Sequence, residues 1–202
     1  LQNDFNGKWE SANSENCKSF SAVGFFYGRY LHEIDGEPAK EIYKEWISDH
    51  SNIHISDEFI FEHVTSFPLG RIAGYIYDQP YYKLTHPIRI MDNGALELFA
   101  DSDIGETITL MTGSREQLIN RASRVIKEAN SKNYTESDKL GAISIFCAGA
   151  MLRLGSELQR AHQQMCHELD GKPFICPFTY GEQGRFIGGE NAHGNLMLSS
   201  VI

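Results

Sequence analysis

Several kinds of residue and segment are scarce in this chain of 202 residues. Its four cysteines form no CxxC pair and are too few for a disulfide-stapled scaffold. Lys and Arg number 18 against 27 Asp and Glu, so non-specific nucleic-acid binding is not expected. No run approaches the roughly 20 apolar residues that span a bilayer. We therefore expect an intracellular, cytoplasmic protein that binds neither nucleic acid nor membrane.

The beginning of the chain lacks both an initiator Met and the charged-then-apolar pattern of a signal peptide. We interpret the chain as a piece of a longer protein. Its hydrophobic content of 41% and charged content of 22% are typical of a soluble globular protein. The length suits one large domain, or one domain and part of another. Residues 1–19 are polar and aperiodic, and predict a flexible entry.

The first third of the chain predicts strands followed by one helix. Residues 20–27 and 29–34 have strand composition, and the turn at 35–38 places Pro38 at the first helical position. The helix has an apolar stripe at helical spacing: Ala39, Ile42, Tyr43, Trp46 and Ile47. Residues 50–80 carry a weak signal: a short helix is expected over 56–63, and Pro68-Leu69-Gly70 is the break after it. We interpret them as a connection between two substructures.

The middle of the chain gives clearer local signals. An Asp-Asn-Gly turn at 92–94 separates alternating segments at 86–91 and 95–99, which predicts a β-hairpin. A further strand is expected at 107–111. Ser114 and Gln117 predict a capping box at the start of a helix. The apolar side of that helix consists of Leu118, Ala122, Val125, Ile126 and Ala129. Residues 130–139 are polar and predict a surface loop.

The last third alternates apolar strands with one amphipathic helix. Residues 141–147 form a continuous apolar run, which predicts a strand buried on both faces. Ser156 is the expected cap of a helix ending at Asp170-Gly171. Its stripe is Leu158, Ala161, His162, Met165 and Leu169. Strands are expected over 174–180 and 195–202. The predicted class is α+β (mixed α/β), with a mostly antiparallel or mixed sheet against two or three amphipathic helices.

Three short motifs in this last third, in their order and spacing, resemble the C-terminal domain of the FIST family. They are Phe-Cys-Ala-Gly at 146–149, Phe-Thr-Tyr-Gly-Glu at 178–182 and His-Gly-Asn-Leu-Met at 193–197. Residues 31–39 look like the junction between the N-terminal and C-terminal FIST domains. The resemblance implies a remnant of the N-terminal domain plus connection over 1–85 and a FIST C-terminal domain over 86–202. The rest of the N-terminal FIST domain would then be a partner in the full-length chain.

The resemblance implies an intracellular sensory domain that binds a small molecule in a pocket at the strand ends. The expected ligand-binding residues are Cys147, Gly149, Tyr180, Gly181, Glu182, His193 and Asn195. Ala150 stands where the family usually has Arg, which removes a bidentate donor for a ligand carboxylate. Gly194 likewise departs from the family pattern.

Several roles stay open for these residues. Glu182 either faces the pocket, where it accepts a hydrogen bond from a ligand amine, or is satisfied by loop N–H groups. His193 either binds ligand or holds the loop closed through Glu182. Cys147 is either a packed thiol or, with His193 as base, the nucleophile of an enzyme.

The leading hypothesis is a non-enzymatic ligand-binding domain of a signalling or adaptor protein, with no catalytic residue and no metal site. The alternative is a protein-interaction or scaffold module, such as a ubiquitin-ligase adaptor, with a vestigial pocket and an apolar surface patch. No cofactor is expected. Some FIST proteins bind haem, and His162, His32 and His63 are the candidate axial ligands for that alternative. His50 and His54 straddle a helix end and do not predict a zinc site.

Overall fold

The structure is a computed structural model of the chain. It describes residues 21–57, 60–76, 78–130, 139–185 and 191–202. The predicted entry over 1–19 and most of the predicted loop over 130–139 lie outside the described residues. Within the described ranges the chain divides into two units, with the division between Thr112 and Gly113.

The first unit is built on an eight-stranded sheet with two helices. Its elements are β1 (Ser21–Tyr27), β2 (Tyr30–Ile34), β3 (Glu37–Pro38), α1 (Ala39–Ser51), α2 (Ile60–Val64), β4 (Leu69–Ile76), β5 (Gln79–Thr85), β6 (Pro87–Ile90), β7 (Leu96–Leu98) and β8 (Thr107–Leu110). The strand order is β5-β4-β8-β1-β2-β7-β6, with β3 paired to β2. Every pairing in this sheet is antiparallel.

The predicted stripe of α1 is confirmed. Ala39, Tyr43, Trp46 and Ile47 are buried in the core of the unit, and Ile42 packs against it. The Tyr43 hydroxyl, fully enclosed, donates a hydrogen bond of 2.7 Å to the Phe67 carbonyl. Pro38 is the N-cap residue, one position before the predicted one. Helix periodicity was thus sufficient to identify both the element and its buried face.

The hairpin predicted around the Asn-Gly turn is confirmed as β6 and β7. Gly94 adopts a φ of 81°, which favours glycine, and the Asn93 side chain accepts a hydrogen bond from the Ala95 amide. The third run of this region forms β8, but β8 pairs with β1 and β4 instead of extending the hairpin.

The interpretation of residues 50–80 as a connection was wrong. Residues 69–85 form the β4–β5 hairpin at one edge of the large sheet, with β4 paired to β8. The expected short helix is present as α2, shorter than predicted. Strand alternation was obscured here because Arg71 and Lys83 are both buried, and Arg71 forms an ion pair of 3.1 Å with Glu106. A charged side chain on the core face breaks the apolar–polar pattern.

The described residues of the second unit form a four-stranded sheet, a two-stranded ribbon and three α-helices. Its elements are α3 (Arg115–Asn130), β9 (Ala142–Cys147), α4 (Ala148–Leu154), a 3-10 helix (Gly155–Glu157), α5 (Leu158–Glu168), β10 (Phe174–Ile175), β11 (Phe178–Thr179), β12 (Glu182–Arg185), β13 (Asn191–Gly194) and β14 (Leu198–Val201). Strand β9 pairs in parallel with β10 and β11, and antiparallel with β14. The ribbon consists of β12 and β13.

The capping box at the start of α3 is confirmed in both directions. The Gln117 amide donates to the Ser114 hydroxyl at 3.1 Å, and the Ser114 amide donates to the Gln117 side-chain oxygen at 2.8 Å. The predicted apolar side is buried from Leu118 to Ile126, and Ala129 is half-buried.

Three predictions for the second unit were wrong in detail. Strand β9 is not buried on both faces, because Ile143 is 57% exposed. Ser156 does not cap α5: the N-cap residue is Glu157, which makes no side-chain cap hydrogen bond, and the segment before it is a 3-10 helix. The strand predicted over 174–180 is split into β10 and β11 at Cys176-Pro177, where proline cannot donate to a ladder.

Helix α4 and the end of the chain also differ from expectation. Residues 148–154, which begin inside the Cys-Ala-Gly motif, are helical, and the strand expected from Asn195 begins only at Leu198. The class itself is confirmed: antiparallel and mixed sheets with helices make an α+β fold.

Candidate functional site

The candidate site lies where β9 and β11 end and the ribbon of β12 and β13 begins. Cys147, the last residue of β9, is the register partner of Thr179, the last residue of β11. Glu182 opens β12 and pairs with Gly194, the last residue of β13. Two strand ends and one ribbon end therefore place residues that are far apart in sequence beside each other.

The Cys147 thiol is enclosed, with 3% of the residue exposed. Its backbone amide donates a hydrogen bond of 3.0 Å to the Met197 carbonyl, which fixes the end of β9 against the segment before β14. Burial raises the pKa of the thiol, and the neighbouring carboxylate of Glu182 raises it further. A nucleophilic cysteine requires the opposite shift, toward the thiolate.

Glu182 is the carboxylate of the site and is only 3% exposed. The Thr179 hydroxyl donates to its Oε1 at 2.9 Å, while Oε2 has no hydrogen-bond partner among the described residues. Burial raises the pKa of this carboxyl above its usual range. The hydrogen bond from the Thr179 hydroxyl acts in the lowering direction, and burial outweighs it.

Gly181 and His193 are in close contact. Gly181 has a φ of 80°, and a Cβ placed there would lie 2.4 Å from His193 Nε2, so this position requires glycine for conformation and for space. His193 is half-buried on β13, where Gln183 is its register partner. The expected hydrogen bond from His193 to Glu182 stays a prediction.

Asn195 is the second enclosed polar side chain of the site. It follows β13 directly and is 2% exposed, and its Oδ1 has no hydrogen-bond partner among the described residues. A buried amide oxygen without a donor carries a desolvation cost that a bound group would relieve.

The remaining predicted residues lie at the margin of this cluster. Tyr180 is 80% exposed. Gly149 is half-buried within the first turn of α4, and Ala150, where the family usually has Arg, is buried in the same helix.

Two residues that sequence reasoning missed support the site. Thr179, inside the quoted motif, donates to Glu182. Arg121 on α3 is 3% exposed, and its guanidinium donates to the carbonyl of Leu196, a residue with a φ of 56°. Arg121 lies three positions after Leu118 on the buried stripe of α3. A charged residue at such a position could have indicated a buried polar contact.

A cavity of 580 Å³ lies on the other face of the same sheet. Phe146 and Phe178, paired across β9 and β11, line it, whereas their chain neighbours Cys147 and Thr179 face the opposite side. With Glu182, to which Thr179 donates, these two residues form the polar cluster. Helix α5 forms the opposite wall with Leu158, Ala161 and Met165.

This cavity does not fit the haem alternative. His162, predicted on the buried stripe of α5, is exposed, because the buried positions are Ala161, Met165 and Leu169 at i, i+4 and i+8. Its ring lies 5.5 Å from that of Phe174 and its nitrogens lie 3.7–3.8 Å from Cys166 Sγ. None of the described residues that line the cavity is Lys or Arg, so the two propionates of a haem would find no cation there. His32 and His63 are half-buried in the first unit.

Two further observations concern metals and membranes. Within the part of the chain that the structure describes, no group of three or more His, Cys, Asp or Glu side chains is placed to hold a metal ion. Among the helices of the same residues, none has both the length and the apolar character needed to cross a lipid bilayer.

Comparison with known proteins gives one match. The model of the FIST C domain family matches residues 39–185, which is most of the chain. No curated protein and no solved structure matches. The match extends across residue 86, and the predicted domain boundary at 85/86 stays a prediction.

Proposed function

Since this chain belongs to the FIST C domain family, a family associated with sensory signalling, we propose that it binds a small molecule at the polar cluster of Cys147, Thr179 and Glu182, with Asn195 as a further contact. One observation carries the proposal. Glu182 Oε2 and Asn195 Oδ1, both on residues at most 3% exposed, have no hydrogen-bond partner among the described residues. Buried acceptors of this kind bind a ligand that brings N–H or O–H donors.

The ionisation state of Glu182 refines the chemistry. Because burial raises the pKa of its carboxyl, the charged form is costly without a partner. A ligand ammonium or amide beside Oε2 would stabilise the carboxylate and lower that cost. The ligand class is therefore a small molecule with an amine or another strong hydrogen-bond donor.

Access to the cluster depends on the ribbon. Glu182 and Gly194 pair with each other at its end, and Gly194 and Asn195 are buried. A ligand that reaches Glu182 must displace this end of β12 and β13. A two-stranded ribbon has fewer interstrand hydrogen bonds than a larger sheet, and we expect its end to open more readily than the four-stranded sheet.

The test is a melting-temperature screen of this chain with a library of metabolites, in which amines are matched with their hydroxyl and carboxylate analogues. An amine hit should raise the melting temperature, and Glu182→Gln should abolish the shift. Glu116→Gln, a change at an exposed carboxylate of the same unit, should leave it intact. Absence of any hit, or a hit indifferent to Glu182→Gln, contradicts the proposal.

A protein-interaction module is the second candidate, because one apolar row crosses the outer face of the small sheet. Ile175, Ile143 and Val201 are register partners on three strands and are 67%, 57% and 72% exposed. Adjacent exposed apolar side chains of this kind mark contact surfaces.

A photoreactive amino acid at position 143 of the full-length protein tests this candidate. Its adduct with a partner should disappear when Val201→Asp is added. The same probe at position 152, an exposed leucine of α4, is the control. Equal adducts at the two positions contradict an interaction surface on the sheet.

A further inference from the structure

The cavity on the helix-covered face of the small sheet is chemically different from the polar cluster. Its floor consists of Phe146, Phe174 and Phe178, from β9, β10 and β11. The rings of Phe146 and Phe178 are 5.7 Å apart at an interplanar angle of 65°, an edge-to-face pair. Phe174 and Phe178 are not fully covered by protein, so ring surface is accessible inside the cavity.

Small side chains on the opposite wall create the space. Ala122 of α3 and Ala161 of α5 face the aromatic floor, and Gly155 stands at the turn into the 3-10 helix. At 580 Å³ the cavity falls within the usual range of about 300 to 1,000 Å³ for small-molecule sites.

The polar groups of the cavity are few. They are Ser156, Gln159, His162 and Cys176. Ser156 and Gln159 lie at and just after the irregular start of α5, whose N-cap residue is Glu157 and makes no side-chain cap hydrogen bond. No Lys, Arg, Asp or Glu is among the described residues that line the cavity, so a charged ligand would lose its hydration without gaining an ion pair.

We propose that this cavity is a second ligand site, separate from the polar cluster, that binds a neutral aromatic small molecule with a hydrogen-bonding group at one end. The aromatic part packs against Phe146, Phe174 and Phe178. The polar end meets the Ser156 hydroxyl or the Gln159 amide. The two sites lie on opposite faces of β9, because Phe146 and Cys147 are consecutive residues of one strand.

Three matched probes test the ligand class: 2-naphthol, its anionic analogue 2-naphthoate and its saturated analogue decahydro-2-naphthol. Titration calorimetry should show 2-naphthol binding at least about tenfold more tightly than 2-naphthoate, because the cavity offers no cation. It should also bind more tightly than the saturated alcohol, which cannot make aromatic contacts. Equal affinity of all three probes, or no binding of 2-naphthol at its solubility limit, overturns the proposal.

Location within the cavity is tested on the unmodified protein through its cysteines. Cys176 lines the cavity and Cys166 does not, and both are half-buried free thiols. Burial raises the pKa of Cys176 to about 11, so its alkylation by N-ethylmaleimide is slow but measurable by mass spectrometry. At 2-naphthol tenfold above its Kd, labelling of Cys176 should slow by about tenfold. Labelling of Cys166, which contacts His162 but does not line the cavity, should slow much less. Equal protection of both thiols contradicts the assigned location.

Neighbouring residues of β10 supply a variant and its control. Phe174→Ala removes a ring from the cavity and should weaken 2-naphthol binding by about tenfold. Ile175→Ala, on the opposite face of the same strand, should leave the affinity unchanged. If Phe174→Ala does not fold, the labelling of the unmodified protein still tests whether 2-naphthol binds in the cavity. A haem absorption band that depends on His162 would also overturn the proposal, since it requires a charged macrocycle in this space.

Discussion

The two faces at the carboxyl end of β9 differ in chemistry: one is polar and enclosed, and the other is apolar and borders a cavity. On one face, Cys147, Thr179 and Glu182 form a closed polar cluster in which each group depends on a particular neighbour. On the other, Phe146 and Phe178 border an open cavity whose apolar contacts are interchangeable. The polar face is therefore sensitive to geometry, and the apolar face to volume.

This difference predicts which substitutions the unit tolerates. Buried hydrogen bonds and left-handed residues permit few alternatives, whereas a lining that already leaves space can rearrange.

Arg121→Met should destabilise the second unit by about 3 kcal/mol. The change keeps the length of the side chain but removes the buried donor to the Leu196 carbonyl, and Leu196 holds a strained φ of 56°. Denaturant unfolding followed by circular dichroism measures it. Arg124→Met, on an exposed position of the same helix, should change the free energy of unfolding by less than about 0.5 kcal/mol. Equal effects at the two positions would show that the buried hydrogen bond from Arg121 to Leu196 does not stabilise the unit.

Gly181→Ala should lower the free energy of unfolding by about 2 kcal/mol, and Gly171→Ala should lower it by about 1 kcal/mol. Both glycines have positive φ, 80° and 74°, but only at Gly181 would a Cβ meet another group, His193 Nε2. The pair therefore separates backbone strain from steric contact. Adding His193→Ala to Gly181→Ala should reduce its cost to that of Gly171→Ala, and a double-mutant cycle measures this coupling. If the effects of Gly181→Ala and His193→Ala are additive, the steric contact between position 181 and His193 is contradicted.

Thr179→Val and Phe178→Leu compare the two faces at adjacent residues of β11. Each should cost about 1 kcal/mol at neutral pH. The cost of Thr179→Val should grow as pH rises, because the Thr179 hydroxyl stabilises the charged form of Glu182. The cost of Phe178→Leu should not depend on pH. Unfolding measured at several pH values distinguishes the two, and parallel pH profiles would remove the distinction between the faces.

Glu182 should make the stability of the protein fall as pH rises. A carboxyl group with a lowered folded-state pKa, the more usual case, has the opposite effect. Burial raises the pKa of the folded-state carboxyl above its ordinary value of 4.5, so the unfolded chain loses its proton first as pH rises. Stability should therefore fall as pH rises from about 4.5 to the folded-state pKa, with a slope of at most about 1.4 kcal/mol per pH unit, and stay level beyond it. Glu182→Gln should remove this slope, whereas Glu116→Gln should retain it. A slope unchanged in Glu182→Gln would assign the effect to another group.

Local signals were sufficient for several elements of the fold. The capping box at Ser114 and Gln117, the hairpin at the Asn-Gly turn and the stripe of α1 depend on residues a few positions apart, and each was predicted from that spacing. The strands over 69–85 were not predicted, because the burial of Arg71 and Lys83 depends on tertiary partners such as Glu106. The prediction that Ser156 caps α5 was wrong because the chain enters α5 through a 3-10 helix.

The candidate site shows the same division. The motifs at 146–149, 178–182 and 193–197 indicated which segments meet, and the structure places Cys147, Thr179, Glu182 and Gly194 together as register partners or contacts. Neither Arg121 nor the cavity could be predicted in this way, because both depend on how α3 and α5 pack on the sheet.

The α+β class, the family, the elements with strong local signals and the order of the segments around the site could all be predicted from the amino-acid sequence. Those properties follow from periodicity, turn chemistry and short motifs. Only the tertiary structure decided that Phe146 borders an open cavity while Cys147 is enclosed beside a carboxylate. The physical reason is that a strand alternates its faces every residue, and the helices and ribbon that cover each face come from distant parts of the chain.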